Sequence, residues 1–229
     1  MTLTETPETR TRTTPWNRIA GAGAITFAVV ALSVNIAVPN PPAWDASGTE
    51  VASWVHDHHG MLAITTSAYA IAAVGLMIFA AGLVRAARQS DDQDTPVFAT
   101  IGMLGMLLIL ALFGTVVLSR LITLALDGSA NSSPALVEFA WHIESAAFML
   151  NMVTVGIALF GVTGAAVRMG WAPHWYKPVS IVGLLAAIAA TLQAPAAVNG
   201  ANGWQIGFFT FLSWEVGLLI IGTRMVRES

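Results

Sequence analysis

Cysteine is absent from the 229-residue chain, which excludes disulfides, thiolate nucleophiles, iron–sulfur clusters and cysteine-ligated zinc. Charge is nearly as scarce: Asp, Glu, Lys and Arg together make up 10% of residues, against about 25% in a soluble domain. So few charges cannot cover a water-facing surface of this size. Only one lysine, Lys177, is present, and no basic run exceeds the N-terminal arginines, so nucleic acid is not an expected partner. P-loop, dinucleotide and HExxH spacings are missing as well; Gly21 and Gly23 sit inside an apolar run, not after a strand. With no catalytic motif, a non-enzymatic role without a cofactor is the expected one.

What the chain does contain is apolar. Hydrophobic residues make up 55% of it and mean hydropathy is +0.69. They arrive in blocks of about 20, the length that crosses a hydrocarbon core of about 30 Å. The expected fold is all-α: a polytopic six-transmembrane-helix bundle. Richness in Ala, Gly, Val, Thr and Arg with almost no Lys suggests a bacterial genome of high GC content, hence a multi-pass protein of the bacterial cytoplasmic (inner) membrane.

Residues 1–15 are polar and Thr-rich and read as a disordered cytoplasmic tail. Residues 16–224 form one domain, with helices expected at about 16–38, 61–84, 97–126, 135–167, 179–193 and 204–222, and a short tail at 225–229. Arg10, Arg12 and Arg18 precede the first run as in a secretory signal. That run is longer than a signal core and no small-x-small site closes it, so it is expected to be retained. An amphipathic stretch from Glu50 to His59 precedes the second helix, with Ser47 or Thr49 as its cap.

Orientation follows from the basic residues. Arg10, Arg12, Arg18, Arg85, Arg88, Arg168, Lys177, Arg224 and Arg227 fall on one side of six antiparallel helices, and only Arg120 does not. By the positive-inside rule that side is cytoplasmic, which puts both termini inside. Gly102 with Gly105, Gly161 with Gly164, and Ala186 with Ala190 have the spacing of close helix packing. The methionines Met103, Met106, Met149 and Met152 read as packing filler rather than metal ligands.

Counting about 1.5 Å per residue from the basic boundary assigns a depth to each polar group. Glu215 comes out about 13 Å in, close to the midplane. Asn35, Tyr69, Asn151 and Gln193, on four different helices, come out near 24–26 Å, a layer of neutral hydrogen-bonding groups in the outer leaflet. Arg120 and Glu144, on adjacent antiparallel helices, coincide near 35 Å and are a candidate ion pair, structural before it is mechanistic. A charge at the midplane is costly, so Glu215 should face the bundle interior, carry a proton or find a partner. The fourth helix has polar residues on two faces, which places it centrally in the bundle or stands its outer end in water.

The densest group of ligand-type side chains is WVHDHHG, Trp54 to Gly60. His56 and His59 share a helix face, and His142 comes out at their depth, near 39 Å. Imidazole with carboxylate suits zinc, copper or iron, so an outer-face metal or bis-His haem site is geometrically open, beside the plainer reading of interfacial polarity.

Several segments together look familiar: WNRIAG (Trp16 to Gly21), GTEVASWVHDHHG (Gly48 to Gly60), LVRAAR (Leu83 to Arg88) and the G-W-A-P-x-W turn from Gly170 to Trp175. Over nearly the whole chain they resemble a broad group of uncharacterised six-helix membrane proteins of actinobacterial type. The resemblance implies six helices and a cytoplasmic turn at Pro173, and it implies no catalytic residues. In that group a hydrophobic position usually follows the P-x-W turn; here Tyr176-Lys177-Pro178 follows instead.

Three functions fit these residues. The first is binding of a small or lipid-like ligand in an outer-leaflet polar pocket, or a sensor or accessory-subunit role, in contact with the lipid bilayer. The second is a proton- or ion-coupled transporter using Glu215, alone or with Glu144 and Arg120; no internal repeat or mid-membrane proline supports it. The third is a metal or haem protein at the outer face using His56, His59 and His142.

Overall fold

The structure, a computed structural model, describes residues 15–38, 40–129, 133–197, 199–200 and 205–227. The expected N-terminal tail lies outside the described residues except for Pro15, as do Trp204, where the last helix was expected to begin, and the final two residues of the C-terminal tail.

The described residues are all-helical: α1 Pro15–Ala37, α2 Gly48–Ala87, α3 Thr95–Leu126, α4 Pro134–Arg168, α5 Tyr176–Leu192, the single turn α6 Ala194–Ala197, and α7 Gly207–Arg227. Five of them, α1, α2, α3, α4 and α7, are long and apolar enough to cross a membrane, and α5 is a shorter apolar helix. Large apolar side chains such as Ile64, Ile71, Leu107, Leu108, Leu185 and Val216 stand exposed on the outside. Exposed apolar surface on that scale calls for a non-aqueous surrounding. The chain is a helical membrane bundle.

Most ends fall within a few residues of expectation, and two differ instructively. The amphipathic stretch before the second segment is not a separate piece: α2 runs unbroken through it for 40 residues. Ser47 caps it by accepting a hydrogen bond from the Glu50 N–H at 3.3 Å. Gly60, the one glycine between the stretch and the span, costs a helix only about 1 kcal/mol and breaks nothing here. Helix α5 begins at Tyr176, because Pro178 falls in its first turn, where the missing N–H is tolerated.

The helices pack in chain order, and α7 closes the ring against α1; α4 touches α2, α3, α5 and α7 and is the central helix. The start of α1 lies on the end of α7 (Gly21 on Gly222) and on the end of α2 (Ala20 on Gly82). The start of α3 lies on the end of α4, through Phe98 against Gly164. Arg18, Arg85, Arg88, Arg168, Lys177, Arg224 and Arg227 therefore share one end of the bundle, the basic end. There Arg168 ties the α2–α3 turn down: its Nε meets Asp92 at 3.0 Å, its Nη2 meets Asp94 at 3.4 Å, and its guanidinium lies 4.4 Å from the Phe98 ring centre. The Asp94 backbone N–H and then the Thr95 hydroxyl hold the Asp92 carboxyl below its usual pKa, and Arg168 adds to this.

Small residues set the spacing in this half. A methyl group added at Gly102 would meet the Val162 backbone nitrogen at 2.8 Å, and one at Gly105 would meet the Ala158 nitrogen at 2.5 Å. The backbones of α3 and α4 thus touch through small residues, the close packing that membrane helices use. Between α5 and α7, Thr210 donates to the Gly183 carbonyl at 2.7 Å, and the Tyr176 hydroxyl donates to the Ser213 carbonyl.

Candidate functional site

Toward the other end the helices separate and a cavity of about 420 Å³ opens among α1, α2, α3, α4 and α7. Its polar groups come from four positions: Asn35 on α1, Tyr69 on α2, Arg120 on α3 and Glu144 on α4. Each sits on a continuous helix, so its height is set by helical rise. Arg120 and Glu144 meet because α3 and α4 are antiparallel, joined by a short turn, and pack along their length. The Arg120 Nε donates to Glu144 Oε1 at 3.1 Å, and Nη2 reaches the same oxygen. Both side chains are largely enclosed, 14% and 6% exposed. The Tyr69 hydroxyl interacts with the same guanidinium. A buried charge pair that is hydrogen-bonded and electrically neutral is a stable polar centre in a low-dielectric setting.

Aromatic rings wall this centre. Trp44 stacks on Trp141 with centroids 6.0 Å apart, and Trp54 tilts against Trp141 at the same separation. Phe148 lies 5.6 Å from Trp44. The Trp141 indole N–H donates to the Ala43 carbonyl at 3.0 Å, which fixes the ring across the entry to α2. From α7, Phe208 and Phe211 complete the wall.

Glu215 lies one turn further along the same face of α7, four residues from Phe211 and three from Leu212. It is fully buried, and neither carboxylate oxygen has a hydrogen-bond partner among the described residues. Its distance from Tyr69 is short enough for the two to influence each other electrostatically.

Two members of the expected neutral layer stand apart from the cavity. Asn151 is buried within α4, where its Oδ1 accepts from Thr154 at 2.6 Å. Gln193 is the exposed C-cap residue of α5. Equal depth did not bring them inside because depth leaves the rotation of each helix free. The histidines also sort differently. His56 and His59 both turn to Asp127 at the end of α3, His56 Nδ1 at 3.1 Å and His59 Nδ1 at 2.8 Å from its two oxygens. Partial burial pushes the Asp127 carboxyl up, but hydrogen bonds from His56 and His59 outweigh it and leave the pKa below its usual value. His142 is half-buried on α4. Among the described residues, no three His, Cys, Asp or Glu side chains are placed to hold a metal ion.

The sequence reading missed the aromatic wall and Asp127. The three tryptophans carried the only available signal, since all fall near helix ends away from the arginines; Asp127 reads in sequence only as a helix stop. The chain matches no family profile, no curated protein and no solved structure.

Proposed function

We propose that the protein spans a bacterial cytoplasmic membrane six times with both termini inside, and that it binds a small or lipid-like molecule in the outer-half cavity. The sixth crossing is α5. Helix α4 ends at the basic end and α7 finishes there, so the chain between them must traverse the bundle. The positive-inside rule turns the basic end to the cytoplasm and the aromatic end outward.

The single observation that carries the binding reading is the cavity itself. About 420 Å³ of space combines an aromatic wall with a few convergent polar groups, the usual make-up of a small-molecule site. The test is native mass spectrometry of protein released from membranes, comparing wild type with Phe211→Trp, which fills the cavity from α7. Wild type is expected to carry a bound non-peptide mass that the variant lacks. Equal spectra, with no bound mass in either, would sink the binding reading.

Glu215 favours a second reading, a proton- or ion-coupled transporter. A carboxyl with no partner among the described residues, one turn beyond a cavity, is where a proton or cation pathway would run. In liposomes, Glu215→Gln is then expected to abolish proton flux while leaving the fold intact. Flux that is unchanged by the substitution rules this reading out.

A further inference from the structure

The polar cavity has a neighbour. A second, apolar crevice of about 380 Å³ lies between α2 and α3, with Phe27 and Ala31 of α1 at its floor. Tyr69 lines both spaces. It is packed against Phe113, 5.1 Å between ring centres, so its ring stands between crevice and cavity. The crevice rim is exposed at Ser67, Ala70, Gly114 and Leu121. Ser67, Ala70 and Gly114 lie mid-helix on two helices long enough to span, so the rim there opens to the bilayer interior and not to water. The rim is open at Gly114: a methyl group added there meets nothing within 4 Å.

Two further observations bear on what enters. The Thr66 Oγ1, one turn before Tyr69 on α2, is buried on the crevice wall and has no hydrogen-bond partner among the described residues. In the cavity, Arg120 is neutralised by Glu144. A phosphate or carboxylate head would face the Glu144 carboxylate, and a cationic head would face Arg120. What the pair and Tyr69 leave for a ligand is N–H and O–H donation in an uncharged setting, between aromatic faces that favour a flat ring.

We propose that the cavity and the α2–α3 crevice form one binding site, entered sideways from the lipid, for an uncharged amphiphile with a planar, carbonyl-bearing head and a long apolar tail. That is the chemistry of a membrane quinone. The head lies on the tryptophan wall against Arg120 and Tyr69, and the tail leaves through the crevice past Thr66 and Gly114. The proposal rests on the cavity being a ligand site, and it adds the class of ligand and the route.

The experiment uses the full-length protein in phosphatidylcholine nanodiscs, with quenching of tryptophan fluorescence as the readout. Three probes are titrated: a naphthoquinone with an isoprenoid tail, the same ring with only a methyl group, and the isoprenoid alcohol without a ring. Gly114→Leu closes the crevice rim; Ala70→Leu closes it from the α2 side should the first variant fail to fold by circular dichroism. The tailed quinone is expected to bind wild type and to lose about tenfold or more in affinity in either variant, since a clash built into the entrance removes the bound pose. The methyl quinone should bind wild type and variants alike, and the alcohol should compete weakly. If tailed and methyl quinones behave identically in the variants, the sideways route is wrong while the cavity reading stands. If the alcohol binds as well as the tailed quinone, the planar head is wrong. If no probe binds and phosphatidylglycerol in the disc changes the fluorescence instead, an anionic lipid is the ligand and the neutral-head argument is overturned. Failure of all of these, together with no bound mass in the native spectra, removes the cavity reading itself.

Discussion

Along α3 and α4, the two halves of the bundle differ in what separates the helices. In the basic half, Gly102, Gly105 and Gly161 bring backbone against backbone. In the other half the same two helices are held by one ion pair, Arg120 with Glu144, beside open space and large rings. Lipid is as apolar as leucine, so helices in a membrane gain nothing by hiding apolar surface from it. Cohesion must come from close van der Waals contact or from polar bonds. This protein uses the first in one half and the second in the other, and only the second leaves room for a ligand.

That contrast can be broken most severely at the ion pair. Arg120→Ala leaves Glu144 buried and unpaired and is expected to destabilise the fold by about 3–5 kcal/mol. The double change Arg120→Met with Glu144→Met should recover the part of that loss due to the lone charge, and the remaining deficit is the cohesion of the pair. Thermal unfolding in detergent reads both. A double variant as stable as wild type would show the pair contributes no cohesion.

A smaller effect is expected from one type of substitution placed at two points on α3. Gly105→Ala pushes a methyl group into the Ala158 backbone and should destabilise by about 1–3 kcal/mol. Gly114→Ala enters open space and should be neutral or stabilising by up to about 1 kcal/mol through helix propensity. Equal outcomes at the two sites would erase the distinction between tight and open halves.

The smallest effect is at the rim, where His56 and His59 hold Asp127. The folded-state pKa of Asp127 lies below its ordinary value. The stability this carboxylate adds is therefore present above the ordinary carboxylate range and is lost as pH falls through the depressed folded value. With both histidines exposed, the change should stay within about 1 kcal/mol. Amide hydrogen exchange at the end of α3 should quicken at acid pH in wild type and at all pH values in Asp127→Ala; identical exchange in the two proteins at neutral pH would dismiss the contact.

The long apolar helices and the meeting of Arg120 with Glu144 were legible, the second because helical rise converts residue counts into depth. Rotation was not legible. In a soluble helix a polar face marks the outside, but helices such as α3 are apolar all round, with Leu107 and Leu108 outside and Ile109 within. Asn151 and Gln193 therefore shared a depth with Tyr69 but not its cavity. The cavity was out of reach for a related reason: it is a gap between helices, and a gap has no residues of its own. Its aromatic wall comes from three helices and a loop, brought together only by folding. The continuity of α2 was missed because charged and histidine-rich composition suggested a surface piece, while nothing local forces the backbone to turn.

That continuity sets a limit on how the protein can lie in its bilayer. Forty helical residues extend about 60 Å. Membrane helices tilt by at most about 40°, and at that angle a core about 30 Å thick takes up only about 26 residues. Some 14 residues of α2, about four turns, must then stand clear of the hydrocarbon as a stiff mast. The mast carries Trp54 on its flank, and its far end is bonded to α4 through the Gly48 N–H and Glu138. Glu50 and Asp57 are exposed on this mast, and Tyr69, which lines both crevice and cavity, belongs to the same unbroken helix.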